Sequence, residues 1–495
     1  MPLTDNAKLG DILLAKGLAT EADIARAMER QRQHGGVLGQ NLVALEVISQ
    51  KQLDAVLNTR PRAPRTVEET GLPLAQLLKM MLKCIYAQDL RTASEMRDCL
   101  ALPFNVVMKL VEEATEQKLL AALGQTGGIA GGEMSYQLSE AGRRLAKEAQ
   151  EQNGYVGPAP VSLQSYQQRI IAQKIGNERV DQARVEAAFS DMVVTDQFIQ
   201  SIGPAINSGK SILLYGPPGN GKTSLAERIG KLFEGTIYVP HAVDIDGSIV
   251  KVFDPSIHQP VTPPGTATGA PAPTSVVLAD VDHRWVACKR PLVMVGGELT
   301  LQMLDLEFNA ISKFYEAPIH LKALGGTFLI DDFGRQLVKP VDLLNRWIVP
   351  LESRFDFMKL HSGRTFSVPF DELVVFATNL NPSDLMDPAF LRRIPYKLET
   401  VGPSQQVFRQ IFRIVAGKYG LEPTDEVVEF VIDEITKRNG EALAGYQPRF
   451  ICEHVINACK FKGVPAHFTL EEVREGLGHL IVKGGGKRAN MAQAA

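Results

Sequence analysis

Apolar residues recur along the chain with spacings that change several times, and the first of these patterns is an internal repeat. Residues 9–28 align with residues 38–57 at an offset of 29, and both stretches carry helical apolar spacing. In the second copy Ser49–Gln52 fits the capping box that begins many helices, whereas Thr20–Asp23 in the first copy fits it only loosely. Residues 1–60 are therefore expected to form a small, mostly helical unit of two related halves.

Residues 61–152 show other patterns of apolar and polar residues. The Pro- and Arg-rich segment 61–71 has no periodicity and is expected to be a linker. Residues 72–152 then carry three helical patterns, two strand patterns on either side of a glycine-rich reversal at 124–132, and a last helical pattern. That order is typical of a winged helix-turn-helix.

Strand and helix patterns alternate from residue 153 to residue 400, which predicts a parallel sheet covered by helices. Prolines cluster within residues 255–275 and predict a flexible surface loop there. Residues 401–485 show helical spacing alone and are expected to form a helical domain, followed by a disordered tail at 486–495. The predicted fold class is multidomain α/β, in which the small helical repeat domain and the winged helix precede the parallel-sheet core.

Composition narrows the class of protein. The chain has 45% hydrophobic and 22% charged residues, the profile of a soluble globular protein. It has no apolar run long enough to cross a membrane and no signal-like N-terminus, so we expect a cytoplasmic protein without membrane insertion. The five scattered cysteines favour neither a disulfide framework nor a zinc site, and a net charge of −3 gives no general attraction to nucleic acid.

A phosphate-binding pattern lies near the centre of the chain. Residues 211–215 have the pattern of a buried strand, and the next residues match Gly-x-x-x-x-Gly-Lys-Thr and continue as a helix. In such a loop the backbone N–H groups wrap phosphates, the lysine neutralises their charge and the hydroxyl completes the shell of Mg²⁺. The expected ligands are ATP and Mg²⁺, and a glycine-rich turn without a ligand is the less favoured alternative. The candidate ligand-binding residues are Gly216, Pro217, Pro218, Gly219, Asn220, Gly221, Lys222, Thr223 and Ser224.

A second acidic pattern supports the first. The apolar segment 326–330 ends in Asp331 and Asp332. We expect Asp331, together with Thr223, to hold the metal, and Asp332 to orient or deprotonate the attacking water. An ordinary strand end has the same appearance, but the position about 110 residues after the loop favours the catalytic interpretation.

Residues 155–485 resemble the AAA+ ATPases, and most of all their MoxR-related branch. The resemblance implies that Asn379 is the sensor 1 residue, that Arg392 or Arg393 is an arginine finger, and that Arg449 is the sensor 2 residue of a helical lid. An arginine supplied to a neighbouring subunit implies a ring, typically a hexamer, that acts on a protein client. A surface salt bridge is the alternative role for Arg392 and Arg393. AAA+ proteins usually carry Asp-Glu where this chain has Asp-Asp, so slow hydrolysis is expected.

Residues 8–31 and 37–60 resemble the two motifs of the MshEN domain found in secretion and pilus ATPases. The resemblance implies cyclic di-GMP binding, with candidate contacts at Lys8, Leu9, Gly10, Gln31, Leu38 and Gly39. The second copy departs from the pattern at Val37, Glu46 and Arg60, and an acidic Glu46 would repel an anionic ligand. A docking unit that has lost the ligand is therefore the alternative.

The predicted function is ATP hydrolysis that remodels or regulates a protein partner. If the N-terminal unit binds cyclic di-GMP, that ligand is expected to control the activity. The alternative is an ATP-switched winged-helix transcriptional regulator that binds DNA. Against it, residues 66–150 contain nine Lys or Arg and eleven Asp or Glu, and the helix expected to enter the groove is rich in glutamate. Because phosphate contacts supply most non-specific affinity, nucleic acid is not an expected partner.

Overall fold

The computed structural model describes residues 10, 13–14, 17–34, 38–49, 52–53, 60–126, 133–261, 281–438 and 440–480, apart from the side chains of 125–126. Within these ranges none of the helices combines the length and the apolar character needed to span a bilayer.

The α-helices are, in chain order, α1 Glu21–His34, α2 Leu38–Ala44, α3 Leu74–Gln88, α4 Ala93–Leu100, α5 Phe104–Glu116, α6 Glu140–Gln152, α7 Leu163–Ala172, α8 Gln182–Ala188, α9 Asp196–Asn207, α10 Lys222–Lys231, α11 Pro340–Arg346, α12 Ile348–Ser353, α13 Pro382–Leu385, α14 Pro388–Leu391, α15 Gln405–Lys418, α16 Asp425–Asp433, α17 Gln447–Lys462 and α18 Leu470–Leu480.

The strands are β1 Leu120–Thr126, β2 Glu133–Leu138, β3 Val161–Ser162, β4 Ile212–Tyr215, β5 Thr236–Pro240, β6 Ala242–Ile245, β7 Ser248–Lys251, β8 Trp285–Lys289, β9 Leu292–Val295, β10 Glu307–Asn309, β11 Phe314–Glu316, β12 Thr327–Ile330, β13 Phe355–Lys359, β14 Thr365–Pro369, β15 Leu373–Thr378 and β16 Tyr396–Glu399.

A five-stranded sheet in the order β16-β4-β15-β12-β9 forms the centre of the molecule, and all its neighbouring strands are parallel. Apolar clusters pack on both of its faces, and every residue of β12 and β15 is buried. Strands that are buried on both faces have nearly continuous apolar sequences, and β12 and β15 have such sequences. The predicted mixed α/β core with a parallel sheet is confirmed.

A second, mixed sheet in the order β10-β11-β7-β6-β3 lies beside a two-stranded antiparallel sheet of β5 and β8, and the two share one apolar cluster. The alternation of patterns between residues 153 and 400 predicted a parallel sheet covered by helices, and it did not predict this second, mixed sheet. The strands of the second sheet are only two to four residues long. Such short strands show too few alternations for a period to be recognised.

The predicted flexible loop at 255–275 is wrong for its first seven residues. His258 is 1% exposed, and its Nδ1 accepts a hydrogen bond of 2.9 Å from the Asp254 N–H. Val261 and Gln259 pair through their backbones with Ala287 and Lys289 of β8. Proline is confined to the edges of sheets, and these backbone groups find partners on the edge strand β8. Residues 262–275 lie outside the described residues.

Helices α3 to α6 and the β1–β2 hairpin follow one another as the sequence predicted, around a common apolar cluster. The predicted linker before them is docked on the core. Pro61 accepts a backbone hydrogen bond from Asp282, and the buried Arg284 donates to the Thr70 carbonyl at 2.9 Å. Arg284 also forms a buried ion pair of 2.9 Å with Asp282.

The N-terminal repeat is visible in its turns. The Leu18 N–H bonds to the Leu13 carbonyl, and at the same positions of the second copy Val47 bonds to Leu42. Both copies form a capping box, including Thr20–Asp23, where the sequence fit was loose. Aspartate therefore closes the first box although glutamate is the usual partner.

The C-terminal helices α15 to α18 enclose their own apolar cluster, and Glu434–Arg438 extends α16 as a π-helical turn. These four helices lie between residues 405 and 480, within the range 401–485 that the sequence predicted as a helical domain. The expected tail at 486–495 lies outside the described residues.

Glu46 adopts a left-handed conformation, with φ of 56°, at the repeat position where the first copy has Gly17, with φ of 64°. A side chain in this region costs about 1–2 kcal/mol, partly offset by the greater freedom of glycine in the unfolded chain. We expect Glu46→Gly to stabilise the unit by about 0.5–1 kcal/mol, seen as slower amide hydrogen exchange in residues 38–49 of the full chain. The matched control is Ala44→Gly, which lies in helix α2 and should speed exchange. Unchanged or faster exchange in the Glu46 variant would show that the left-handed conformation of Glu46 does not destabilise the unit.

Candidate nucleotide-binding site

The loop between β4 and α10 has the geometry of an anion cradle. Gly216, Gly219 and Gly221 have φ of 139°, 78° and 75°, which other residues rarely adopt. The buried strand β4 leads into the loop, and α10 begins directly after Gly221. A helix N-terminus after such a loop offers free N–H groups and a partial positive charge to an anion.

Lys222 lies over the loop. Its side chain is largely buried, and Nζ donates to the carbonyls of Gly216 and Pro217 at 2.9 and 2.8 Å. Burial lowers the pKa of Lys222, while the charges of Asp332 and Asp331 act in the opposite direction. The ammonium group is thus held at the loop by neutral carbonyls, which it can exchange for phosphate oxygens.

A chain of hydrogen bonds joins the predicted metal and catalytic residues. The Thr223 hydroxyl donates to Asp331 Oδ2 at 2.8 Å, and the Asp332 N–H donates to Asp331 Oδ1 at 3.0 Å. Asn379 Nδ2 then donates to Asp332 Oδ1 at 3.0 Å. These residues follow three strands of one parallel sheet, whose carboxyl ends meet at the same edge. The structure therefore brings together four residues that the sequence analysis selected separately.

The other predicted loop residues lie at the surface of the same cradle. Pro217, Pro218, Gly219 and Ser224 are exposed, and Asn220 is half-buried. This exposure leaves the loop open to a ligand.

Gln336 is a residue of this site that the sequence analysis missed. Its Nε2 donates to the Asp331 carbonyl at 2.8 Å, and its Oε1 accepts from the Gly334 N–H at 2.7 Å. These bonds hold the turn in which Asp332 has a φ of 48°. No sequence pattern identifies a glutamine five residues after the strand, because its role depends on how the turn folds.

The helical domain docks on the loop. The Tyr446 N–H donates to the Gly219 carbonyl at 3.0 Å, and the Gly445 N–H donates to Asn220 Oδ1 at 3.3 Å. A Cβ atom at Gly219 would lie 2.2 Å from the Tyr446 ring, so only glycine fits there. Tyr446 was missed as a site residue although it stands beside the predicted Arg449.

A second contact couples the same two parts. Asp191 forms ion pairs with Arg228 of α10 at 2.7 Å and with Lys418 of α15 at 3.2 Å. The hydrogen bond from Arg228 is the main reason that the pKa of Asp191 is lowered. A movement of the helical domain would therefore change the ion pairs of the helix that follows the phosphate loop.

Arg449 does not reach the loop in this structure. Its side chain is exposed and pairs with Glu453 at 2.8 Å, and Glu453 also accepts from the Tyr419 hydroxyl at 2.6 Å. In the part of the chain that the structure describes, no hydrogen bond joins Arg449 to residues 216–223. Its predicted contact with nucleotide would require a movement of the helical domain.

The two adjacent arginines differ in their surroundings. Arg393 pairs with Glu352 at 2.6 Å and lies over the Phe390 ring. Arg392 is exposed, and its side chain forms neither a hydrogen bond nor an ion pair with any described residue. The sequence could not separate them, whereas the structure leaves Arg392 available to a neighbouring molecule.

The donor set at Thr223 and Asp331 fits a magnesium ion. Both supply hard oxygen atoms, which are the ligands that Mg²⁺ prefers, and the two oxygens are 2.8 Å apart. Nearby Asp332 adds a second carboxylate. The residues present are therefore suited to the cation expected with ATP.

The predicted cyclic di-GMP contacts are distributed unevenly. Gly10, Leu38 and Gly39 are buried, and Leu38 belongs to the apolar cluster of the N-terminal unit. Gln31 is half-buried, while Lys8 and Leu9 lie outside the described residues. Packing accounts for the buried three, so the ligand role of this set stays a prediction.

Comparisons with known proteins match parts of the chain. A family model described as a domain of unknown function, DUF8689, matches residues 404–475, which correspond to the helical domain. A proteasome-activating nucleotidase of Methanospirillum hungatei is 27% identical over 183 residues, or 36% of this chain and 42% of the relative. The 26S proteasome regulatory subunit 8 homolog B of Arabidopsis thaliana is 28% identical over 172 residues, or 34% of this chain and 39% of the relative. The chain thus spans less than half the length of these curated relatives.

Among solved structures, NtrX from Brucella abortus is 13% identical, with a TM-score of 0.36 over 59% of this chain and 57% of that chain. A TM-score this low does not establish a shared fold. The similarity to the nucleotidases, together with a phosphate loop on a parallel sheet, supports an AAA+ P-loop core in this chain.

Proposed function

We propose that this protein is an AAA+-type ATPase that binds ATP with Mg²⁺ at residues 216–224 and uses hydrolysis to remodel or regulate a protein partner. The observation that carries the proposal is the hydrogen-bonded chain from Thr223 through Asp331 and Asp332 to Asn379. A structural turn would need no such alignment of a hydroxyl, two carboxylates and an amide beside a phosphate cradle.

Each residue has a distinct task in this mechanism. Lys222 and the loop N–H groups bind and orient the phosphates, while Thr223 and Asp331 would hold Mg²⁺. The cation, when bound, would neutralise charge on the phosphate oxygens. Asp332 accepts a proton from the attacking water, and Asn379 holds the carboxylate of Asp332 in place through its amide.

Asp332 limits the expected rate. Its side chain is one methylene shorter than the usual glutamate, and one of its oxygens already accepts from Asn379. The carboxylate therefore reaches less far towards a water at the phosphate, which favours slow, regulated turnover over fast motor activity.

Two substitutions test the assignment of the site. Lys222→Ala removes the cation at the loop and should abolish ATP binding, measured by calorimetry. Asp332→Asn should preserve binding and lower phosphate release by roughly 100- to 10,000-fold, because the general base is lost. Lys210→Ala is the matched control, since Lys210 is exposed and precedes β4. Normal turnover in the Asp332 variant would remove the catalytic role of this residue.

We further propose that the active form is a ring, typically a hexamer, in which Arg392 completes the site of the neighbouring subunit. Arg392 is exposed and without a described partner, whereas Arg393 is held by Glu352. The resemblance to the MoxR-related branch and the similarity to proteasome-activating nucleotidases both favour a protein as the client. The glutamate-rich α5, with Glu112 and Glu116 exposed, favours protein contact over DNA binding for the unit from α3 to α6.

Arg392→Ala should retain ATP binding and lose roughly 100- to 1,000-fold in hydrolysis, while Arg393→Ala should keep most of the activity. An equal mixture of the Arg392→Ala and Lys222→Ala chains should recover part of the activity, because intact sites form between the two kinds of subunit. If the mixture hydrolyses ATP no faster than the two variants do separately, the site is not shared between subunits. Equal loss in both arginine variants would instead indicate a structural role for the whole segment.

We also propose that cyclic di-GMP binds the N-terminal unit and controls the ATPase. Its support is the repeat itself, whose two copies share the same turns and capping boxes. Titration of cyclic di-GMP into the full Lys222→Ala chain should release heat that Gly10→Trp abolishes, because the new ring collides with Ile24 at the repeat motif. Flat heats at high concentration would leave the N-terminal unit as a docking module.

A further inference from the structure

A cavity of about 570 Å³ lies between the α3–α6 unit and the mixed sheet, away from the phosphate loop. Helix α3 and the end of α6 form one wall, and the β6–β7 and β10–β11 turns form the other. Its volume lies within the range typical of small-molecule sites. The side chains that give it chemical character are Lys79, Lys83, Lys313, Ser248, Phe308 and Tyr315.

The charge of this cavity has one sign. Three lysines line it, and among the described lining residues none is Asp or Glu. The chain as a whole has 53 basic and 56 acidic residues, so the bias is local. The nearby Asp244 is bonded to the amide of Gln76, and burial raises its pKa.

Lys83 is the strongest single indication of an anionic occupant. It is 4% exposed, and its Nζ donates to the carbonyls of Asn153 and Tyr155 at 2.7 and 2.9 Å. A buried lysine normally has a carboxylate partner, but no described carboxylate pairs with this one. Burial lowers the pKa of Lys83 to about 8, as expected for an ammonium group without a counter-anion.

The other two lysines place positive charge on both walls. Lys79 lies one turn before Lys83 on the same face of α3, and it is exposed without a described partner. Lys313 comes from the β10–β11 turn, and its Nζ reaches across to the Glu151 carbonyl of α6 at 2.6 Å. An anion here would contact both walls at once.

Aromatic rings line the sheet side. The rings of Phe308 and Tyr315 lie 4.9 Å apart, and Phe308 stacks on His361 at 5.5 Å. Phe308 is 38% exposed and Tyr315 is 5% exposed, so it is Phe308 that is accessible to a planar group. Basic and aromatic side chains together suit a ligand that has a phosphate and a ring.

We propose that this cavity binds an anionic, ring-bearing small molecule of the nucleoside monophosphate class. The phosphate lies among the three lysines, and the ring packs against Phe308 and Tyr315. Because the two walls belong to different units, the ligand strengthens their contact. This site is independent of the phosphate loop and does not rest on the proposed ATPase function.

The test is calorimetric titration of AMP and GMP into the full chain carrying Lys222→Ala, which disables the phosphate loop. At least one of them should bind at one site per chain. Adenosine and ribose 5-phosphate each lack half of the recognised chemistry and should bind at least about tenfold more weakly than AMP. Absence of binding by both nucleotides at millimolar concentration would overturn the proposal.

Charge reversal locates the binding. Lys79→Glu should weaken it by at least about tenfold, and folding should be unaffected because Lys79 is exposed. Lys313→Asn should weaken binding as well, because it removes a positive charge from the cavity. Asparagine tolerates the φ of 53° at this position, so the fold should be unaffected. Lys147→Glu on α6, an exposed lysine outside the cavity, is the matched control. Equal affinities in the Lys79→Glu and Lys147→Glu chains would reject the cavity as the site, whatever the ATPase measurements show.

Discussion

The candidate site depends on one hydrogen bond, from the Thr223 hydroxyl to Asp331. These residues follow β4 and β12, which are not neighbours in the sheet, because β15 lies between them. The bond therefore crosses the carboxyl end of β15, and this arrangement brings Asn379 to Asp332. A change in strand order would separate Thr223 and Asn379 from the adjacent Asp331 and Asp332, since these residues follow three different strands.

Around this centre, buried charges connect the units of the chain. Arg284 and Asp282 are both nearly inaccessible, and Arg284 also bonds to the carbonyls of Thr70 and Pro160. Such a pair adds little stability compared with apolar residues, but removal of one partner leaves an expensive unpaired charge. The pair thus fixes where the 60–71 segment lies and restricts the α3–α6 unit that follows it.

The two buried lysines illustrate how environment separates two uses of one side chain. Lys222 lies near Asp331 and Asp332, whose charges oppose the lowering of its pKa by burial. Lys83 has only carbonyl partners among the described residues. The first lysine is part of a site with balanced charge, whereas the second leaves positive charge without an opposite one.

The sequence by itself determined the features that depend on short stretches of chain. The glycines of the phosphate loop, the strand that ends before Asp331 and the helical patterns of residues 72–152 and 401–485 follow from local periodicity and backbone preference. The repeat was also evident, because its apolar pattern recurs at a fixed offset. Such patterns require no knowledge of the rest of the fold.

Only the tertiary structure decided which residues meet across long separations. It distinguished the exposed Arg392 from Arg393, which Glu352 holds from 41 positions away. It also paired the short strands of the mixed sheet and placed the lysines of α3 opposite Lys313. Neither result follows from spacing, because the free energy of each contact depends on burial and partners supplied by distant segments.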